Sequence, residues 1–208
     1  MTKYVWVSNE GKKVPFSTHQ VWQDFRINIP KVTWSNVIWF KGFDPKHAFI
    51  LWLVVLNRLS TQDRMSVWMP NQMLSCVFCD SEMDSVKHLF FKCSFSMKVW
   101  SFMKMKLEYR GLQDQLNEIV HGISIYPCAG KIWNVVNRLV VAACVYFLWQ
   151  ERNHRMFRMV KRTDEDLCKA ICCYVQCKLL TFRVNHSEAV KRVARYWDLQ
   201  LKDGRFCI

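Results

Sequence analysis

The sequence predicts a mainly α fold, with helices organised around one CCHC zinc site, a small N-terminal β hairpin and a helical C-terminal half. Three observations carry that expectation. Hydrophobic residues make up 51% of the 208, ample for a packed core, while 6 Gly and 5 Pro are few for the many tight turns of a sandwich or barrel. Apolar residues recur at helical spacing through the second half. Cys76, Cys79, His88 and Cys93 place four soft donors at C-x2-C-x8-H-x4-C spacing, the donor types that tetrahedral zinc prefers.

The elements follow in order. Residues 4–16 alternate as two short β segments about a turn that contains Gly11. Ser17 and Gln20 have the capping-box spacing ahead of Val21, Trp22 and Phe25, and Pro30 ends that helix. Trp34–Phe40 is a short amphipathic piece. Asp44 and Pro45 pair an N-cap with a first-turn proline, and Phe49–Leu56 is apolar nearly all round, which places this helix centrally. Ser60-x-x-Asp63 is the expected cap of a helix running toward Trp68 and stopping by Pro70.

The Cys76–Cys79 pair belongs in a turn, His88 on a short helix opened near Asp84, and Cys93 just before a helix from Ser94 to about Leu107. Residues 112–123 predict another helix, and Ser124–Gly130, with Pro127, a linker. Three helices then cover 131–157, 164–184 and 187–199. The first is most apolar between Leu139 and Trp149. On the second, Cys168, Ile171, Cys172, Val175, Leu179 and Phe182 share a face. Asp164, Glu165 and Asp166 lie at its start, where acids offset the positive end of the helix dipole. The expected organisation is a zinc-binding domain over 1–110, a short helix and linker over 111–130, and a helical region over 131–208.

The Cys/His cluster has three readings: a structural zinc site, a chance grouping of small buried thiols, and a redox Cys-x-x-Cys. The last lacks the surrounding βαβ pattern. With protein donors in all four positions, no open coordination site is left for water, so metal catalysis is not expected. Zinc here would organise residues 60–107. Cys168, Cys172, Cys173 and Cys177 read as buried structural thiols, because one straight helix cannot easily turn all four toward one ion. The sequence has no Gly-rich phosphate loop, no G-x-S-x-G elbow, no His-Glu-x-x-His and no carboxylate pair suited to two metals. It is not expected to be an enzyme.

A net charge of +13 favours a polyanionic partner, nucleic acid first and an anionic membrane surface second; RNA or single-stranded nucleic acid is the expected partner, and a membrane is not. The candidate contacts are Arg58, Arg64, Lys87, Lys92 and Lys98 around the cluster, with Arg152 and Arg155 in the basic run that reaches Arg162. Lys191, Arg192 and Arg195 form a second basic group. A solvated basic face would account for these charges equally well. Phe78, Phe90 and Phe91 can stack on bases or pack against their own helices. No apolar signal segment follows Met1, and the runs Ala48–Leu56 and Leu139–Trp149 are short for a bilayer. An intracellular protein of nucleus or cytoplasm, not secreted, is the expectation, with ten cysteines as thiols or metal ligands.

A set of ordered residues resembles the reverse-transcriptase zinc-binding domain of plant non-LTR retrotransposons. The set comprises Phe16-Ser17, Trp34, Ile38-Trp39-Phe40, Pro45-Lys46-His47 through Trp52, and Asn57-Arg58-Leu59 through Arg64. It continues with Cys76-Val-Phe-Cys79, His88-Leu-Phe-Phe, Cys93-Ser-Phe and Val99-Trp100. The resemblance covers about residues 4–104. Leu148-Trp149-Gln-Glu-Arg152-Asn153 through Phe157 looks like the helical tail of such reading frames. It implies a retroelement accessory domain with Cys76, Cys79, His88 and Cys93 as zinc ligands, and a retroelement polymerase as a possible partner. No polymerase palm, catalytic Asp dyad, endonuclease or RNase H region accompanies it. A degenerate retroelement fragment and a protein-interaction scaffold are the alternative readings.

Overall fold

The computed structural model describes residues 4–26, 32–66, 75–107, 116–125 and 131–208. The expected helix toward Trp68 and Pro70, the stop at Pro30 and residues 112–115 lie outside the described residues. The chain divides into two compact units, Met1–Val32 and Thr33–Ile208.

In the first unit, β1 (Val5–Val7) pairs antiparallel with β2 (Lys13–Pro15), Trp6 opposite Val14, and Gly11 adopts the positive φ of the connecting turn. Helix α1 (Thr18–Phe25) follows. Ser17 Oγ accepts the Gln20 amide at 3.4 Å, but Gln20 does not reach back, as a full capping box requires. Its side chain donates instead to Asp24 at 3.2 Å. Asp24 also accepts the Trp6 indole N–H, which ties hairpin to helix.

The second unit begins with α2 (Ser35–Ile38) and α3 (Pro45–Val55). Asp44 caps α3 by accepting the Lys46 amide at 3.0 Å, and Pro45 occupies the first turn. Helices α4 (Gln62–Met65), α5 (Ser94–Met105) and α6 (Leu116–Ile125) lead to the long α7 (Lys131–Arg158), followed by α8 (Asp164–Leu180) and α9 (Glu188–Tyr196). Val136, Val140, Ala143, Cys144 and Leu148 are fully buried on α7, which packs against α3, α5, α8 and α9.

His47, buried on α3, stacks on Tyr146 of α7 at 4.1 Å and lies 4.3 Å from Tyr174 of α8. Burial pulls its pKa down to about 4, so the ring is neutral within this apolar layer. An 18-residue window of α7, with mean hydropathy 1.5, satisfies the length and composition of a membrane span, but 61% of it is buried inside the protein. The helix around Leu139–Trp149 is thus longer than the apolar run alone suggests, and it is the core helix.

The metal region and the C-terminal helices share the single unit Thr33–Ile208. A second hairpin, β3 (Gln200–Lys202) with β4 (Arg205–Cys207), closes the chain. Its turn is Asp203-Gly204, both at positive φ, the dipeptide that suits a tight I′ hairpin. Helix α8 also stops at Leu180, short of the expected 184. Beyond it, Phe182 packs on the backbone of Gly42 (φ +91), its ring 2.5 Å from where a Cβ would stand, and the Val184 amide donates to the Gly204 carbonyl at 2.8 Å.

Candidate metal centre

The four donors come from a loop, a π-helical turn and a helix start. Ser75 and Met83 bridge the two arms of the loop, and within it the Cys76 amide donates to the Glu82 carbonyl at 2.6 Å. The Asp80 amide returns to the Cys76 carbonyl at 2.8 Å, with Asp80 at φ 55, a conformation Asp tolerates better than most residues. This turn brings Cys76 and Cys79 to one side. His88–Lys92 then forms a π-helical turn, closed by the Cys93 amide donating to the His88 carbonyl at 2.8 Å. The extra residue in that turn sets His88 and Cys93 at its two ends. Helix α5 clamps it: the Trp100 indole donates to the Phe90 carbonyl at 2.8 Å, and the Ser96 hydroxyl to the Leu89 carbonyl.

The donor atoms of Cys76, Cys79, His88 and Cys93 all lie within 4.8 Å of one another. Cys76 Sγ and Cys93 Sγ are 3.9 Å apart, and Cys79 Sγ and His88 Nε2 3.3 Å. Zn–S bonds of about 2.3 Å and Zn–N bonds of about 2.0 Å in a tetrahedron give edges of about 3.8 and about 3.5 Å. The donor set fits zinc in chemistry, and the Cys76–Cys93 and Cys79–His88 pairs stand close to these edges. Among the described residues this is the one grouping of three or more His, Cys, Asp or Glu able to hold an ion.

The surroundings favour thiolate at Cys93 and Cys79. Cys93 is pulled down to about 5, first by the hydrogen bond the Cys76 thiol donates to it, then by the Phe95 and Ser96 amides at the start of α5. That same bond holds Cys76 as the thiol and pushes its pKa up. Burial raises Cys79, but hydrogen bonds from the Ser81 hydroxyl, 3.2 Å away, and from the Ser81 and Glu82 amides outweigh it, leaving the thiol below its ordinary value. His88 turns Nε2 to the cluster and Nδ1 toward the Glu82 carboxylate at 3.9 Å, the side on which a metal-bound imidazole is usually oriented by an acid.

Asp84, fully buried, extends this frame. Its carboxylate accepts the Gln62 amide at 3.1 Å and its carbonyl the Asp63 amide at 3.1 Å. The N-terminus of α4 is therefore capped from the metal loop, not by Ser60 as the sequence suggested. Thr61 is the N-cap residue, and its hydroxyl bonds Asp63 instead of a helix amide. Arg152 of α7 pairs with the same Asp84 carboxylate at 2.6 Å.

The nucleic-acid candidates therefore separate into two groups. Arg152, only 1% exposed, is an internal partner of Asp84 and stacks over Trp149 at 4.8 Å. Arg155 pairs with the buried Glu151 at 2.8 Å and lies over Phe95 and Phe78 at 4.4 and 4.9 Å. Neither guanidinium faces solvent as a phosphate contact would. Arg58, Arg64, Lys87, Lys92 and Lys98 are exposed, with Arg64 donating to the Asn57 carbonyl.

Among the aromatics, Phe90 and Phe91 are buried, and Phe78 packs on Phe95 at 4.7 Å. They support the metal loop from within. On α8, Cys168 is buried and Cys172 half-buried toward the core, but Cys173 and Cys177 are exposed, so the expectation of four buried thiols holds for the first pair only.

Fold and donors together define a helical protein with a closed Cys3His metal centre. A family model described as zinc-binding in reverse transcriptase matches residues 16–100, the segment that carries all four donors and most of the residues behind the resemblance read from the sequence. No curated protein and no solved structure matches the chain.

Proposed function

We propose that this protein is a zinc-binding, nucleic-acid-binding accessory domain derived from a retrotransposon reverse transcriptase, with no polymerase activity of its own. When bound, zinc supplies a crosslink between the Cys76–Cys79 loop, the π-helical turn and α5, and leaves no coordination position for a substrate. The observation that carries the binding role is a set of free cations on the outside of that frame. Lys87 and Lys92 bracket the π-helical turn, Lys98 follows on α5, all three are exposed, and no carboxylate among the described residues pairs with them. A net charge of +13 supports a polyanion as their partner.

Among the described residues the two buried carboxylates, Asp84 and Glu151, are held by arginines and so are not free to bind catalytic metal ions. RNA or single-stranded nucleic acid is the proposed ligand, met in the nucleus or cytoplasm. Fluorescence anisotropy of zinc-loaded protein with a labelled single-stranded RNA tests this. Binding should weaken steeply with salt and fall sharply in the K87E/K92E/K98E variant. No binding at low salt overturns the reading. A docking role toward a polymerase is the second reading, favoured by exposed Tyr4, Phe16, Trp22 and Phe25 in the N-terminal unit. A polymerase pull-down that survives nuclease treatment would support it.

A further inference from the structure

The basic run that ends α7 presents a face that the metal frame does not use. Glu151, Arg152 and Arg155 turn inward, whereas Tyr146, Trp149, Gln150, Asn153, Phe157 and Arg158 line an open groove of about 510 Å³. Their spacing puts them along one side of the helix, and Ile50 of α3 forms part of the opposite wall. Aromatic rings, two carboxamides, His154 and one guanidinium line this stripe, and no carboxylate does.

We propose that this groove seats unpaired bases of a single-stranded nucleic acid, an inference that rests on the nucleic-acid reading above and locates part of the contact away from the lysines. Five observations favour that occupant. The volume lies within the range of about 300–1,000 Å³ typical of ligand pockets. Phe157 is 71% exposed at the mouth, an aromatic surface of the kind on which bases stack irrespective of sequence. The cation there, Arg158, lies beside it in the last turn of α7, placed for the phosphate that follows a stacked base. The Gln150 and Asn153 carboxamide oxygens accept Arg162 and Arg152 respectively, which turns the amide N–H groups toward other partners such as base edges. An acidic lining, which would repel a phosphodiester backbone, is missing, and the net charge of the chain attracts one.

Phe157→Ala and Arg158→Ala test the proposal in the full zinc-loaded chain, with a labelled 20-nucleotide single-stranded RNA and an abasic oligonucleotide of equal length. Phe157→Ala should weaken RNA binding about tenfold with the salt slope unchanged, and leave abasic binding as in the parent. Arg158→Ala should weaken both ligands and lower the salt slope by about 1. Helicity equal to the parent shows that the variants fold. If K87E/K92E/K98E abolishes binding while both groove variants bind RNA like the parent, the groove proposal fails and the wider reading stands. No RNA binding in the parent overturns both. An RNA carrying 4-thiouridine should crosslink to peptides spanning 146–158, and crosslinks confined to 87–98, or a preference of the groove for apolar peptides over RNA, overturn it.

Discussion

Arg152 donates through Nη2 to Asp84 Oδ2 at 2.6 Å across 68 residues of chain, and both side chains are buried. The same carboxylate caps the helix that opens at Gln62. One acid in the metal loop therefore fixes both the element before it and the core helix of the C-terminal half.

Breaking this pair on one side strands a buried charge. Asp84→Ala is expected to destabilise the metal-loaded protein by about 3–5 kcal/mol, and Arg152→Met by a comparable amount. The double variant should recover part of the loss, since neither charge is then left alone. Urea denaturation in a double-mutant cycle measures the coupling. Additive losses would mean that the two side chains do not interact in solution.

Metal removal should reach well beyond the loop. Structural zinc contributes on the order of 10 kcal/mol of apparent binding free energy, and its ligands sit in the same compact unit as α7 and α8. A strong chelator, or Cys93→Ser, is expected to loosen amide-exchange protection around Trp100 first and then along α7. Unchanged melting and helicity after metal content has been shown to fall would refute a structural role.

Glu151 gives a pH signature. Burial alone would raise its pKa, but hydrogen bonds from the Arg155 guanidinium and from the Arg162 amide and guanidinium prevail and lower it. A depressed folded pKa contributes stability above the unfolded value of about 4.3, and that stability is lost as pH falls through the folded pKa. Glu151→Gln should therefore cost about 3 kcal/mol at pH 7, and the gap from the parent should close only in strongly acidic solution. Denaturation of both proteins across pH 3–7 (a planned range of about four units) checks it. A gap that is flat with pH would exclude the carboxylate as its source.

Local chemistry was legible in the sequence where the cause is local. Asp44-Pro45 announced α3, Ser17 announced α1, and the four donors stand where their spacing put them. Asp203-Gly204 carried an equally local hairpin signal that the helical reading of the C-terminus passed over. What the sequence hid depends on contacts distant along the chain. Asp84 takes over a cap that Ser60 seemed placed to make, because a fully buried carboxylate with an arginine partner is held in position and a surface serine is not. Arg152 and Arg155 lie in a run with no acid between them and Arg162, which reads as a phosphate-binding tract. Only the fold shows that their partners are Asp84, far upstream, and Glu151, just outside the run. The phenylalanines around the ligands were ambiguous for the same reason, since base stacking and core packing ask for the same side chains.

The core helix also has a consequence for how the chain is made. Lys131–Arg158 has the length and apolarity of a membrane segment, and it leaves the ribosome before α8 exists to cover it. Among the described elements, α2, α3, α5 and α6 are already synthesised and can shelter it in that interval. A chain cut off after Arg158 would keep the metal ligands and expose the α8-facing side of α7, which makes such a fragment a ready client for chaperones or a stray bilayer. The residues from Asp164 to Ile208 therefore act as the protein's own escort for its most insoluble helix.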